Sequence, residues 1–259
     1  MTARVDTRAP ARARGGVSPG GPVNATVMWL ALRSLFGRRR GILLFVLPLV
    51  LLALSIVVQA LTDPAEVAAV ILYQLGLVVV VPLVALVATT GVVSSEIDDG
   101  SVVYLLAKPL SRLSIVVSKL VVAWGCVLVF AAVPLLVSGL VLRADVPRLG
   151  LGFAVGGLAG GLAYCSLFAF ASVVTRHAVV VGLVYVLIWE GLLGGLLEGI
   201  RWLSVTWWSA AITDRLTGQA PLVDKLGPTY AVTAVVVVIL GATWLAGYRL
   251  RGYNYRSDE

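Results

Sequence analysis

Six stretches of this sequence are long enough and apolar enough to cross a lipid bilayer as helices, and they limit the fold more than any other feature. The hydrocarbon core is about 30 Å thick, and a helix rising ~1.5 Å per residue needs ~20 apolar residues to span it. The runs lie near 41–61, 69–92, 115–141, 150–174, 178–198 and 229–248. They lack the ~10-residue alternation of a membrane β-barrel. The unbroken Val78-Val79-Val80-Val81 suits a helix in lipid, where every backbone group must be satisfied internally, and Pro82 is expected to kink the second span. Composition excludes the soluble alternatives. Hydrophobic residues make up 59% of the chain and charged residues 13%, against about 25% charged in a soluble domain. The expected fold is all-α and membrane-integral, with six transmembrane helices.

The flanks are basic. Residues 1–22, rich in Arg, Ala, Gly and Pro, read as a disordered cytoplasmic tail, and residues 252–259 as a second one. Between Asn24 and Arg40, Met28, Leu32, Leu35 and Phe36 recur at helical spacing beside Arg33, Arg38, Arg39 and Arg40. That pattern predicts an amphipathic helix on the membrane surface leading into the first span. With the N-terminus inside, fifteen Lys and Arg fall on the inner side and five on the outer. Both termini are therefore expected in the cytoplasm, and the net charge of +7 is read as contact with anionic lipid, not nucleic acid. Cys126 and Cys165 both lie in apolar runs, which argues against a disulfide framework or a metal site, and the single His177 is expected at the surface.

Two further segments carry packing information. Gly152, Gly156 and Gly160, with Gly157 and Gly161, form overlapping GxxxG patterns in the fourth span. They let another backbone approach closely, in the same subunit by expectation, at a subunit interface as the alternative. Residues 191–228 are half apolar and hold Trp202, Trp207 and Trp208, which predicts short interfacial or re-entrant helices on the outer side.

The most informative loop is Ser95–Ser114, between the second and third spans. Asp98-Asp99-Gly100 is a turn signal, Ser101–Ala107 can make two helical turns, and Pro109 disfavours helix at Lys108. Ser111 can cap the next helix. Val102, Val103, Leu106 and Leu110 form one stripe and Ser101, Tyr104 and Lys108 another, so the short helix has two faces. Through Glu96, Asp99, Gly100, Ser101, Leu105, Leu106, Pro109, Ser111 and Arg112 the segment resembles the signature of ABC-2 type transporter permeases. The likeness extends over about residues 24–251 in the basic leading helix, the six spans and the structured outer segment. The expected domain is thus a transmembrane domain over 23–251.

The resemblance implies a non-catalytic permease subunit in a bacterial cytoplasmic membrane, more specifically of an exporter. It implies a separate ABC ATPase subunit that binds ATP and Mg, and a second permease copy, as a homo- or heterodimer. It further implies that the loop is a cytoplasmic coupling helix docked on the ATPase. The residues carried over are Glu96, Asp99, Gly100, Ser101, Tyr104, Leu105, Leu106, Lys108, Pro109 and Arg112, with Glu96 and Arg112 free to pair across the loop. The chain has no G-x-x-x-x-G-K-[ST] phosphate loop, and no nucleophile–base pair, carboxylate pair or metal-ligand cluster stands out. No cofactor is expected in this chain.

Within the spans, Glu190 is the one acidic residue set well inside a run, and an intramembrane carboxylate is a candidate proton or cation site. Gln74, beside Tyr73 in the second span, can line the same path or hydrogen-bond between helices. Lys119 is expected to snorkel. Two other readings follow from the residues: a stand-alone proton-coupled transporter using Glu190, and a non-transporting membrane scaffold or immunity protein.

Overall fold

A computed structural model describes residues 28–29, 41–98, 112–175, 177–218 and 226–252. Among the described residues the secondary structure is helical, with no strand. Helix α1 is Gly41–Leu61. Helix α2 covers 64–98, as Pro64–Ile71, a π-helical stretch Leu72–Val80, and Val81–Asp98. Helix α3 covers 112–142, as Arg112–Val127, a π stretch Leu128–Ala132, and Val133–Leu142. Helix α4 is Pro147–Val174. Helix α5 covers 178–196, as Ala178–Val184, a π stretch Tyr185–Leu193, and Gly194–Leu196. The one-turn α6 is Glu198–Arg201, α7 is Val205–Thr217 and α8 is Pro228–Gly252.

Five apolar stretches are long enough to cross a membrane: Gly41–Leu61, Val67–Val92, Val116–Leu142, Pro147–Val174 and Pro228–Arg249. They mark a multi-pass membrane protein. The run read as a sixth full span, 178–198, is shorter here. Its apolar helix is Ala178–Leu193, and Leu197 turns to an extended backbone that ends α5.

Helix α4 is the centre of the bundle. It packs against α2, α3, α5, α7 and α8. Its most apolar stretch is 61% buried, against 28% for α1 and for α8 at the periphery. Phe153, Tyr164, Leu77, Val81 and Leu135 are enclosed around it. The outward faces of α1 and α8 carry Phe45, Leu49, Val237 and Leu240, all exposed. Such faces are stable only against hydrocarbon. Polar residues sit inside instead: Ser55, Thr90, Ser166 and Ser172 each donate to the carbonyl one turn back. Lys119, expected to snorkel, is buried, because it lies on the face of α3 that turns inward with Val116, Leu120 and Ala123.

Two of the π stretches have a local cause. Proline has no N–H, and its ring clashes with the carbonyl four residues back. Val81 N–H bonds to the Gly76 carbonyl and Val133 N–H to the Leu128 carbonyl, each five residues back. Pro82 and Pro134 follow directly. The widened turn absorbs the mismatch just before each ring. Pro48 sits in a regular α1, so a proline alone does not force the change. The π stretch of α5 holds no proline.

The short connections are polar and outside the helices. Between α3 and α4, Arg143 forms a two-point ion pair with Asp145, with nitrogen–oxygen distances of 2.8 and 2.7 Å. That hydrogen-bonded pairing holds the Asp145 carboxyl below the usual range and pushes the Arg143 guanidinium up. His177 is exposed at the α4–α5 turn, where its N–H donates to Thr175 Oγ1 at 3.1 Å. Cys126 and Cys165 are buried free thiols.

The leading helix expected over 24–40 lies outside the described residues, except Met28 and Trp29, which are helical. Asp99, Gly100, Ser101, Tyr104, Leu105, Leu106, Lys108 and Pro109 of the coupling loop also lie outside them, as do residues 1–22 and 253–259, while Gly252 ends α8. The backbones of Glu96 and Arg112 belong to the end of α2 and the start of α3.

Candidate functional site: a helix that begins inside the bundle

Helix α7 has thirteen residues and is about 20 Å long, too short to cross a 30 Å core. It is nevertheless buried along Val205, Thr206, Trp208, Ser209, Ala210, Ala211, Ile212 and Thr213. The glycine stripe of α4 makes this possible. A Cβ on Gly160 would collide with the Ser209 side chain, one on Gly156 with Thr213 and Ser209, and one on Gly152 with Thr217. Without side chains at those positions the two backbones close, and the Thr213 hydroxyl, 2.9 Å from the Ser209 carbonyl of its own helix, also reaches the Gly152 carbonyl at 3.2 Å. The GxxxG patterns thus pack within the chain, as expected. Gly157 and Gly161 serve the other face, against Leu135, Val81 and Val127.

This contact fixes the depth of α7. Its C-terminal turn lies at Gly152, near the Pro147 end of α4. Its N-terminal turn lies at Tyr164, roughly 26 Å along α4, which is about 42 Å long. The start of α7 is therefore nearer the middle of α4 than either end. The chain rises along α5, turns back through α6, and re-enters the bundle before α7 begins.

A helix starting there has a polar problem. Its first N–H groups have no intrahelical partner, and no water is at hand in a membrane interior. Glu190 and Ser204 solve it together. Val205 N–H donates to Glu190 Oε1 at 3.0 Å and Thr206 N–H to Oε2 at 3.3 Å. Trp207 N–H donates to Ser204 Oγ at 3.3 Å. Trp208 N–H reaches the Ser204 carbonyl at 3.1 Å, which starts the regular ladder. Each early donor is accounted for. The Ser204 hydroxyl donates to Glu190 Oε2, and the Tyr185 hydroxyl to Oε1 at 3.1 Å. The carboxylate thus accepts four hydrogen bonds and lies at the positive end of the α7 dipole, the end that favours an anion. Tyr164 and Thr206 share a hydrogen bond of 2.8 Å beneath it. Tyr164, Glu190, Ser204 and Thr206 are all buried.

Aromatic groups close the turn over this site. Trp189 Nε1 donates to the Leu203 carbonyl at 3.5 Å. Trp208 Nε1 and the Tyr230 hydroxyl both donate to the Trp202 carbonyl, each at 2.9 Å. Arg201 donates to the Gly194 carbonyl at 3.3 Å, and its guanidinium lies 4.5 Å from the centre of the Trp207 ring. The tryptophans read as interfacial in sequence thus clamp a re-entrant turn. At the far end, Gly218 takes a positive φ of 62° and its N–H caps back to the Asp214 carbonyl.

The two polar span residues singled out in sequence are not brought together. Glu190 is enclosed by α5, α7 and Tyr164, whereas Gln74 is exposed on the surface of α2. Both lie in π-helical stretches, Leu72–Val80 and Tyr185–Leu193. Sequence reasoning missed Ser204, Thr206, Tyr164 and Tyr185. The available signal was Ser204 itself, a serine placed where an N-cap would precede a helix. Among the described residues no group of three His, Cys, Asp or Glu side chains could hold a metal ion. No protein-family model matches this chain, and no curated protein matches it significantly.

Proposed function

We propose that the chain is the permease subunit of an ATP-driven transporter of the ABC-2 type, working as an exporter. What carries this reading is the segment Glu96–Arg112, whose residues resemble the permease signature and which joins the end of α2 to the start of α3. Displacement of a loop tied directly to two span-forming helices passes into the bundle. The multi-pass helical architecture and the re-entrant outer segment before α8 fit the same reading. Counted with its last turn to Leu196, α5 is roughly 28 Å long and serves as a short sixth span. Both termini then lie in the cytoplasm of a bacterium, and ATP and Mg are bound by a separate ATPase. Two permease copies form the path.

The four donors around Glu190 weigh against the rival reading as a proton-coupled transporter. Both carboxyl oxygens of Glu190 already accept hydrogen bonds, two of them from backbone N–H groups at the start of α7. In this proposal Glu190 holds α7 in place. The test is docking: Gly100→Pro and Leu106→Asp release the ATPase from the purified complex while leaving membrane insertion intact. Retention of the ATPase at full yield by both variants removes the coupling role of this loop.

A further inference from the structure

The surface of α2 carries one feature that the anchoring of α7 does not use. Of the span Val67–Val92, only Val70 and Gln74 are exposed, and the rest is buried or half-buried against the bundle. Gln74 lies seven residues inside Val67, about 10 Å along the helix. Its polar side chain is exposed on the outside of the bundle. Val70, one turn towards the start of the helix, is 56% exposed and apolar, so the apolar surface continues past Gln74 in that direction. An amide exposed on such a surface finds no partner in hydrocarbon chains.

We infer that Gln74 is the contact point of a two-fold interface with a second copy of this chain. The inference rests on the two-permease reading and names its face. A glutamine side chain offers both an acceptor and donors. Two copies related by a two-fold axis place the same residue opposite itself, so each amide satisfies the other with no further residue type. Glutamine at a helix surface drives association in membranes by this bond. The π stretch Leu72–Val80 has a second effect, because its wider turns change which residues share a face with Gln74 from those expected of a regular helix. Helices α1 and α8 expose broad faces made of Phe45, Leu49, Val237 and Leu240, which need only lipid.

The experiment is photo-crosslinking in native membranes with p-benzoylphenylalanine in place of Gln74, and in place of Leu49 and Val237 as lipid-facing controls. Native mass spectrometry of the unmodified complex counts permease copies in parallel. The expected result is a covalent homodimer at position 74 alone, with the link mapped to α2 of the second copy. Gln74→Leu is expected to weaken the dimer roughly threefold to tenfold, as for one polar contact between membrane helices, and Gln74→Asn to restore part of it. Two copies without a link at 74, or with a link at 49 or 237 instead, place the interface elsewhere and overturn the inference while the two-permease reading stands. One copy only overturns both. A link from position 74 to lipid alone, or to a different protein, also overturns it.

Discussion

Replacing Glu190 by alanine removes the acceptor of four hydrogen bonds at once, and the structure says which losses cannot be repaired. The hydroxyls of Ser204 and Tyr185 can rotate towards other acceptors. The N–H groups of Val205 and Thr206 cannot, because they are fixed by the first turn of α7. A buried donor left without a partner costs about 1–3 kcal/mol, so these two cost about 2–6 kcal/mol. Loss of a negative charge from the helix N-terminus adds up to ~2 kcal/mol. A central value of about 5 kcal/mol lowers the unfolding midpoint by roughly 10–20 °C for a chain of this size. Glu190→Gln keeps one carbonyl acceptor but turns an amide donor towards donors, so roughly half that shift is expected. The assay is the fraction of monodisperse protein left after heating in mild detergent, read by size exclusion. Midpoints within ~2 °C of the parent for both variants would refute the claim that Glu190 holds the start of α7. Because Ser204 belongs to the same network, Ser204→Ala combined with Glu190→Ala costs less than the sum of the two single changes.

Other expectations follow from the same geometry. Gly156→Leu and Gly160→Leu drive a side chain into Ser209 and Thr213, and both are expected to lower the yield of folded protein sharply, whereas Gly125→Ala and Gly241→Ala, which have open space, leave it unchanged or slightly improved. Tyr164→Phe removes one buried hydrogen bond to Thr206 and is expected to cost about 1 kcal/mol in the same heating assay. The Asp145 carboxyl is depressed by Arg143, so the pair is present at neutral pH and lost only as pH falls through that lowered value. Since the pair is exposed, Asp145→Asn is expected to leave the midpoint at pH 7 unchanged.

The spans were legible because apolar length is a one-dimensional property. The run at 115–141 became Val116–Leu142, and that at 69–92 became Val67–Val92. The run at 178–198 was read too long because its composition stays apolar past Leu193, while the backbone turns at Leu197 to bring α7 back into the bundle. Close packing at Gly152, Gly156 and Gly160 was legible too, but its partner was not, since α7 is too short and too polar at Thr206, Ser209 and Thr213 to resemble a span. The π stretches leave no compositional mark, and only Pro82 and Pro134 hint at two of them. The seat of Glu190 depends on Ser204, fourteen residues away across a reversal that no periodicity encodes. The sequence shows Glu190 as an isolated carboxyl in an apolar run, whereas in the fold its partners are Ser204, Val205 and Thr206 at the start of α7.

On the permease reading, the chain works with a separate ATPase through the loop between α2 and α3. The direct measurement is the subunit composition of the chain purified in mild detergent from its native membrane, by mass spectrometry of intact complexes. The expected composition is two permease chains with two ATPase chains, whose ATP hydrolysis is stimulated by assembly. A homogeneous permease oligomer that carries no ATPase contradicts it.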